Sequence, residues 1–320
     1  RFKDIIDCSS CSCGGVLCLL DSGNCQLLAY DGTEYKLTDT LGKKGRGKGE
    51  FIKPWDSAVS RSEEDESIAV TDIELNKVSV FYPPPKSKGL AYEFGKEGSG
   101  DGELNSPEGI AFENSGHIWV ADTGNNRVQE FDHAKGGKFI MKFGSKGKGP
   151  GEFDRPVSVD TDGKGSKLYI LDQGNKRVQV FDPRGKFLFQ FGKEGNGPGD
   201  FIKPTAITVD VSDDGWVWVA DVGFPGGRLT KFTPDGKYIL HIDNVVNSVK
   251  RTFIELKIGS YIIYINEVGK RLLVAPFIEK GRTLVPIREI AEGMDGKVYW
   301  DPNDGKGKIT IVQAAERLTN

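Results

Sequence analysis

Five cysteines, Cys8, Cys11, Cys13, Cys18 and Cys25, crowd the start of a 320-residue chain that has none afterwards. Thiols so concentrated support two chemistries: disulfide cross-linking in an oxidising compartment, or thiolate capture of a metal ion. The run CSSCSC has ligand-like spacing but no matching second pair and no His to complete a set of four. Disulfides are therefore expected ahead of a metal site or inert thiols. Two bridges would leave one Cys over, and an odd thiol in a secreted protein points to an intermolecular bridge. No CxxCH occurs, which argues against covalent c-type haem.

A second set of residues keeps a fixed spacing: Asp72 with Lys77, Asp122 with Arg127, Asp172 with Arg177, and, across a two-residue insertion, Asp221 with Arg228. An Asp closing one strand and a cation opening the next can pair across the turn between them. The first copy, Asp21, has Gln26 in place of the cation and Cys25 where Asn126 stands in the third copy, so disulfides could replace the tie there. The Gly- and Lys-rich connectors KKGRGKGE, KEGSGDGE, SKGKGPGE and KEGNGPGD have the composition of phosphate loops. A phosphate loop needs a Gly-Lys-Ser/Thr end followed by a helix. These run from strand to Pro and strand, so they read as turns, with Gly supplying positive φ and the following Phe or Leu as a plug.

The elements that would position these groups repeat. Asp21, Asp72, Asp122, Asp172 and Asp221 are separated by 51, 50, 50 and 49 residues, a period that signals propellers and solenoids. Four connectors of equal length begin at Gly42, Gly95, Gly144 and Gly192, end at Phe51, Leu104, Phe153 and Phe201, and are each followed by Pro54, Pro107, Pro156 or Pro204. Each unit holds four short runs rich in Val, Ile, Tyr and Phe, in the fourth copy VSVD, KLYILD, RVQVFD and FLFQFG. A lone four-stranded meander cannot bury both faces, so the units must stack around an axis as blades.

The strings LDQGNKRVQVFDPRGKFLFQFG and VADTGNNRVQEFDHAKGGKFIMKFG resemble the NHL repeat family of β-propellers. The expected fold is mainly β: an NHL-type propeller over 1–243, with five four-stranded blades at about 1–45, 51–95, 104–144, 153–192 and 201–243. The second blade carries an acidic insertion, SEEDES, and a Pro-rich loop, YPPPKSKG. The resemblance implies that the Asp–Arg pairs are architectural. It also implies six blades as the common number, so either the ring closes with five or the sixth position is filled by something else, a neighbouring molecule's segment among the candidates.

After KYILHID the connector is missing, which marks a boundary, with a linker at 244–252. Residues 253–320 read as a small α+β module of strands, a helix after Pro286 and a final hairpin. GRTLVPIREIAEGMDGKVYWD followed by KITI resembles the stalk domain found at the amino end of copper amine oxidases and in secreted bacterial proteins. GMDG departs from the Leu-Gly-Ala turn usual there. The resemblance implies a non-catalytic surface or secreted module, and no His lies in the segment to bind copper.

Net charge is −3, divided as about −6 before residue 245 and +3 after it, where twelve Lys and Arg face nine Asp and Glu. That balance argues against nucleic acid, although some NHL propellers bind RNA through a basic face. No apolar run reaches the eighteen or so residues of a membrane-spanning helix, so membrane insertion is not expected. The chain starts at Arg1, which leaves a removed leader and a trimmed start both open. Lyases related to NHL propellers hold zinc by several His in the central channel. Here His117, His133 and His241 are expected in a turn, a loop and an outer strand, so no catalytic, cofactor or metal site is assigned. Ca²⁺ at the inner-strand carboxylates Asp160 and Asp210 is the one cofactor left open. The expectation is an extracellular or cell-surface binding and structural protein, not an enzyme, with a protein partner that includes copies of itself in an oligomer or filament. A propeller lyase or hydrolase and an RNA-binding propeller are the alternatives.

Overall fold

A computed structural model describes residues 5–243, apart from 11–15, 32–36, 61–66, 83–88, 114, 163–164 and 211–214, and seven strands within 254–313. Side chains are described from Cys18 to Asp243. The acidic insertion and most of the Pro-rich loop of the second blade lie outside the described residues.

The first compact unit, Arg1–Val246, is a five-bladed β-propeller. Blade 1 comprises β1 (Ile5–Ser10), β2 (Val16–Asp21), β3 (Gln26–Asp31) and β4 (Leu37–Leu41). Blade 2 comprises β5 (Pro54–Val59), β6 (Ile68–Asp72), β7 (Lys77–Tyr82) and β8 (Gly89–Phe94). In blade 3, β9 (Ile110–Phe112), β10 (His117–Asp122), β11 (Arg127–Asp132) and β12 (Lys138–Phe143) follow. Blade 4 holds β13 (Pro156–Thr161), β14 (Leu168–Asp172), β15 (Arg177–Phe181) and β16 (Phe187–Phe191); blade 5 holds β17 (Pro204–Val209), β18 (Val217–Asp221), β19 (Arg228–Phe232) and β20 (Tyr238–Asp243). Each is an antiparallel meander in chain order.

Alternation along the strands sends neighbouring side chains to opposite faces, and each face meets a different blade. Tyr169, Leu171, Val178 and Val180 of blade 4 pack on Ile207, Val209, Val217, Val219 and Phe232 of blade 5. Ile170 and Phe181, from the other face, pack on Trp119, Ala121 and Val128 of blade 3. Strands covered by a blade on each side, such as β14, are thus buried on both faces, which gives LYILD its unbroken hydrophobic reading.

The connectors set the blade spacing. Each makes an isolated parallel bridge, Lys44 to Phe51, Glu97 to Leu104, Lys146 to Phe153 and Glu194 to Phe201. The closing Phe or Leu is fully buried in every case. The last acidic residue folds back to accept the N–H of a connector glycine, as Glu152 does from Gly149 at 2.9 Å and Glu103 from Gly100 at 2.8 Å. That loop-closing bond explains the GxGxGE pattern.

The second unit, Asn247–Asn320, contains a three-stranded sheet of β21 (Ile254–Leu256), β22 (Ile262–Ile265) and β23 (Val268–Arg271). Two hairpins follow, β24 (Phe277–Glu279) with β25 (Arg282–Leu284), and β26 (Gly296–Asp301) with β27 (Lys308–Gln313). The helix expected after Pro286 lies outside the described residues.

Candidate functional site

In blades 3 and 4 the Asp–Arg pair is buried and bonded. Arg127 Nε donates to Asp122 Oδ2 at 2.7 Å, and Arg177 Nε to Asp172 Oδ2 at 2.8 Å. The rest of each guanidinium grips the incoming connector: Arg177 donates to the carbonyls of Lys148, Gly149 and Glu152, and Arg127 to those of Ser99, Gly100 and Glu103. The Asp meanwhile accepts the N–H just after the plug, Asp122 from Asn105 at 2.7 Å and Asp172 from Asp154 at 2.8 Å. The pair is a clamp on the blade junction. Gln129 and Gln179 belong to it, donating to Asp122 at 2.9 Å and Asp172 at 3.3 Å. The repeated RVQ was the signal for them. Burial pushes the Asp172 carboxyl up, against the donors Asn175, Asp154 N–H and Arg177.

Two expected pairs form differently. Lys77 bonds Glu93 and the Gly47 carbonyl instead of Asp72, because β8 places a carboxylate opposite Ser79 and an ammonium lacks the guanidinium's fork of donors. Asp72 instead accepts the N–H groups of Ile52, Lys53, Glu74 and Leu75. Arg228 turns to Asp243 at 2.6 Å, with its guanidinium 3.6 Å above the ring of Phe224, which the insertion GFPGG brings in. Asp221 keeps the connector role, accepting from Ile202 N–H at 2.7 Å and Lys203 N–H at 2.9 Å, and also accepts Gly223 N–H of its own turn at 2.7 Å.

Cys18 and Cys25 are buried in blade 1. Cys25 has φ 56, matching Asn76 (53), Asn126 (53) and Lys176 (54) at the same turn position. There the two Asn accept from the next blade, Asn76 from Ser106 N–H at 2.7 Å and Asn126 from Arg155 N–H at 2.9 Å, while Cys25 Sγ donates to the Ile52 carbonyl at 3.5 Å. Cys8 lies on β1; Cys11, Cys13 and the side-chain pairing of the cluster lie outside the described residues. On the inner strands, Asp160 accepts Val209 N–H at 2.8 Å and Asp56 accepts Ile110 N–H at 3.0 Å, which ties adjoining blades together.

His133 follows β11 and His241 lies in β20, as read from the sequence. His117 does not lie in a turn but opens β10, where its Nδ1 is 2.6 Å from Glu130 Oε1. Glu113 completes a cluster with them, and the three donor atoms lie within 4.8 Å of one another. Sequence spacing hid this set because strand pairing across two turns assembles it.

Among the described residues, the outer strand of blade 5 exposes apolar side chains. Its strand register places Trp218, Leu229, Leu240 and Ile242 on the face that in blade 4 carries Tyr169, Val178, Phe189 and Phe191. Leu240 is 40% and Ile242 47% exposed, whereas Tyr169 and Val178 are fully buried against the next blade. Lys231 lies 4.3 Å above the Trp216 ring at the edge of this face. The inner strands β1 and β5, β5 and β9, β9 and β13, and β13 and β17 pack as neighbours; among the described residues β17 and β1 form no comparable pair.

Known proteins match this arrangement. Residues 104–131 fit the model of the NHL repeat, 162–270 that of a 6-bladed beta-propeller, and 242–310 that of the copper amine oxidase N-terminal domain. The chain is thus a β-propeller that carries an NHL repeat match, followed by a segment similar to the copper amine oxidase N-terminal domain. RING finger protein nhl-1 of Caenorhabditis elegans is 34% identical over 117 residues, 36% of this chain and 11% of that protein. NHL repeat-containing protein 3 of Mus musculus is 26% identical over 216 residues, 60% of this chain and 52% of its own. The chain thus spans about half the length, or less, of these curated relatives. Among solved structures, the nidogen/laminin complex has a TM-score of 0.55 at 15% identity, covering 74% of this chain and 79% of that one. Streptogramin B lyase has a TM-score of 0.54 at 15% identity, covering 97% and 83%. At that identity the likeness is one of fold.

Proposed function

We propose that this is a non-catalytic binding and structural protein, extracellular or at the cell surface, whose propeller is the interaction platform and whose copies join through the end faces of the blade series. The uncovered face of blade 5 is the observation that carries this reading. Each internal seam sets the later-facing side of one blade on the earlier-facing side of the next, so the surface shaped to cover blade 5 is another blade's earlier-facing side. Blade 1 offers one: Leu19 and Tyr30 are half-buried where their counterparts Ile170 and Phe181 in blade 4 are buried. Blade 5 of one copy on blade 1 of the next is a heterologous contact, which extends into an open chain unless its rotation closes a ring. The clustered cysteines support an oxidising compartment, with an inter-chain bridge as reinforcement. The copper amine oxidase N-terminal-like segment serves as joint.

Sedimentation velocity tests this. The wild-type chain is expected to grow in size with concentration, and a Leu240→Glu/Ile242→Glu variant, altered only at exposed positions, to stay monomeric with an unchanged melting temperature. A wild type that is monomeric throughout, or a variant that associates equally well, sinks the reading.

A further inference from the structure

We propose that Glu113, His117 and Glu130 form a binding site for a divalent transition-metal ion of the zinc type at the seam of blades 3 and 4. Three adjoining backbone segments bring the ligands together. Glu113 follows β9 and its N–H donates to the His117 carbonyl at 2.8 Å, which sets these two residues opposite each other. Trp119 pairs with Glu130 in the β10–β11 register and His117 with Asp132, so His117 and Glu130 lie diagonally on one face. That face looks toward blade 4.

The charges are unbalanced. Glu113 and Glu130 are 8% and 5% exposed. A buried carboxylate needs a countercharge or several donors to offset its lost hydration. Glu130 has His117; Glu113 has a single hydrogen bond, to Oε2 from the fully buried Trp119 Nε1–H at 3.2 Å. Among the described residues no Lys or Arg pairs with Glu113, and no protein donor reaches its Oε1, which is left facing solvent. An ordinary His–Glu ion pair accounts for His117 and Glu130 but leaves Glu113 unexplained. A divalent cation accounts for all three.

The donor set selects the ion. Imidazole nitrogen is a ligand for zinc and its first-row neighbours, whereas calcium and magnesium take oxygen. Tetrahedral zinc at about 2.0–2.2 Å holds its donors roughly 3.4 Å apart, so donors within 4.8 Å need only small side-chain rotations. Three protein ligands leave the fourth position to water. Trp119 would act as the outer partner that orients a ligating carboxylate. The backbone of blade 4 closes one side, since a Cβ at Gly165 would come within 2.6 Å of Glu113 Oε1.

The test is isothermal titration of EDTA-stripped full-length protein with zinc chloride alone, together with zinc analysis of the dialysed product. Because any reduced thiols of the cysteine cluster would also take up zinc, the readout is the difference between chains. Wild type is expected to bind one more equivalent than Glu113→Gln, whose amide can still accept from Trp119, and one more than His117→Gln. Equal stoichiometry in wild type and in either variant that keeps the wild-type circular dichroism overturns the proposal.

Discussion

Removing the carboxylate of Asp172 would strand the Arg177 guanidinium at a blade junction where water does not reach it. Breaking a buried pair from one side costs about 3–5 kcal/mol, so Asp172→Ala is expected to lower the melting temperature sharply, and Asp122→Ala to do the same. A loss within the range of a surface substitution, under about 0.5 kcal/mol, would show that the pair is not a clamp. Blade 2 makes a different use of its cation. Burial raises the Glu93 carboxyl, but hydrogen bonds from Lys77, Gly49 N–H and Ser79 outweigh it, so the group sits below its ordinary 4.5. With the folded value below the unfolded one, the unfolded state takes up the proton first. Stability from Glu93 is therefore present in full above about 4.5 and is lost as pH falls through the folded value. Glu93→Gln should cost stability near neutrality and little at about pH 3; thermal melts at both pH values showing one constant difference would contradict it.

At the scale of elements, the connectors are the most constrained segments. Gly192 has φ 78, and a Cβ there would lie 2.2 Å from Cε2 of Phe201. Gly192→Ala meets both backbone strain and the plug and should cost at least about 1–3 kcal/mol. Phe153→Ala removes a fully buried ring and should cost about 3–5 kcal/mol. Chemical denaturation reads both, and a connector that tolerated either change would not be setting the blade spacing. These features were legible because local chemistry dictates them: positive φ selects Gly, a plug selects Phe or Leu, and the recurring Asp marks the strand end. The fate of Lys77 and Arg228 was not legible, since it depends on Glu93 and Asp243 in the next strand, brought opposite by register. Glu113, His117 and Glu130 escaped notice for the same reason. Their meeting is a matter of register, and a single copy of the repeat carries it.

At the scale of the molecule, a series of blades stacked by one rule has two ends, and blade 5 leaves its end uncovered. Head-to-tail growth follows if the end faces obey the rule of the internal seams. A reducing agent should then weaken the assembly if the odd cysteine bridges copies, and non-reducing electrophoresis would show it. The most direct measurement is electron microscopy of the native protein under oxidising conditions. The account predicts rows or rings in which each propeller abuts the next through blades 5 and 1. Dispersed single propellers at every concentration would contradict it.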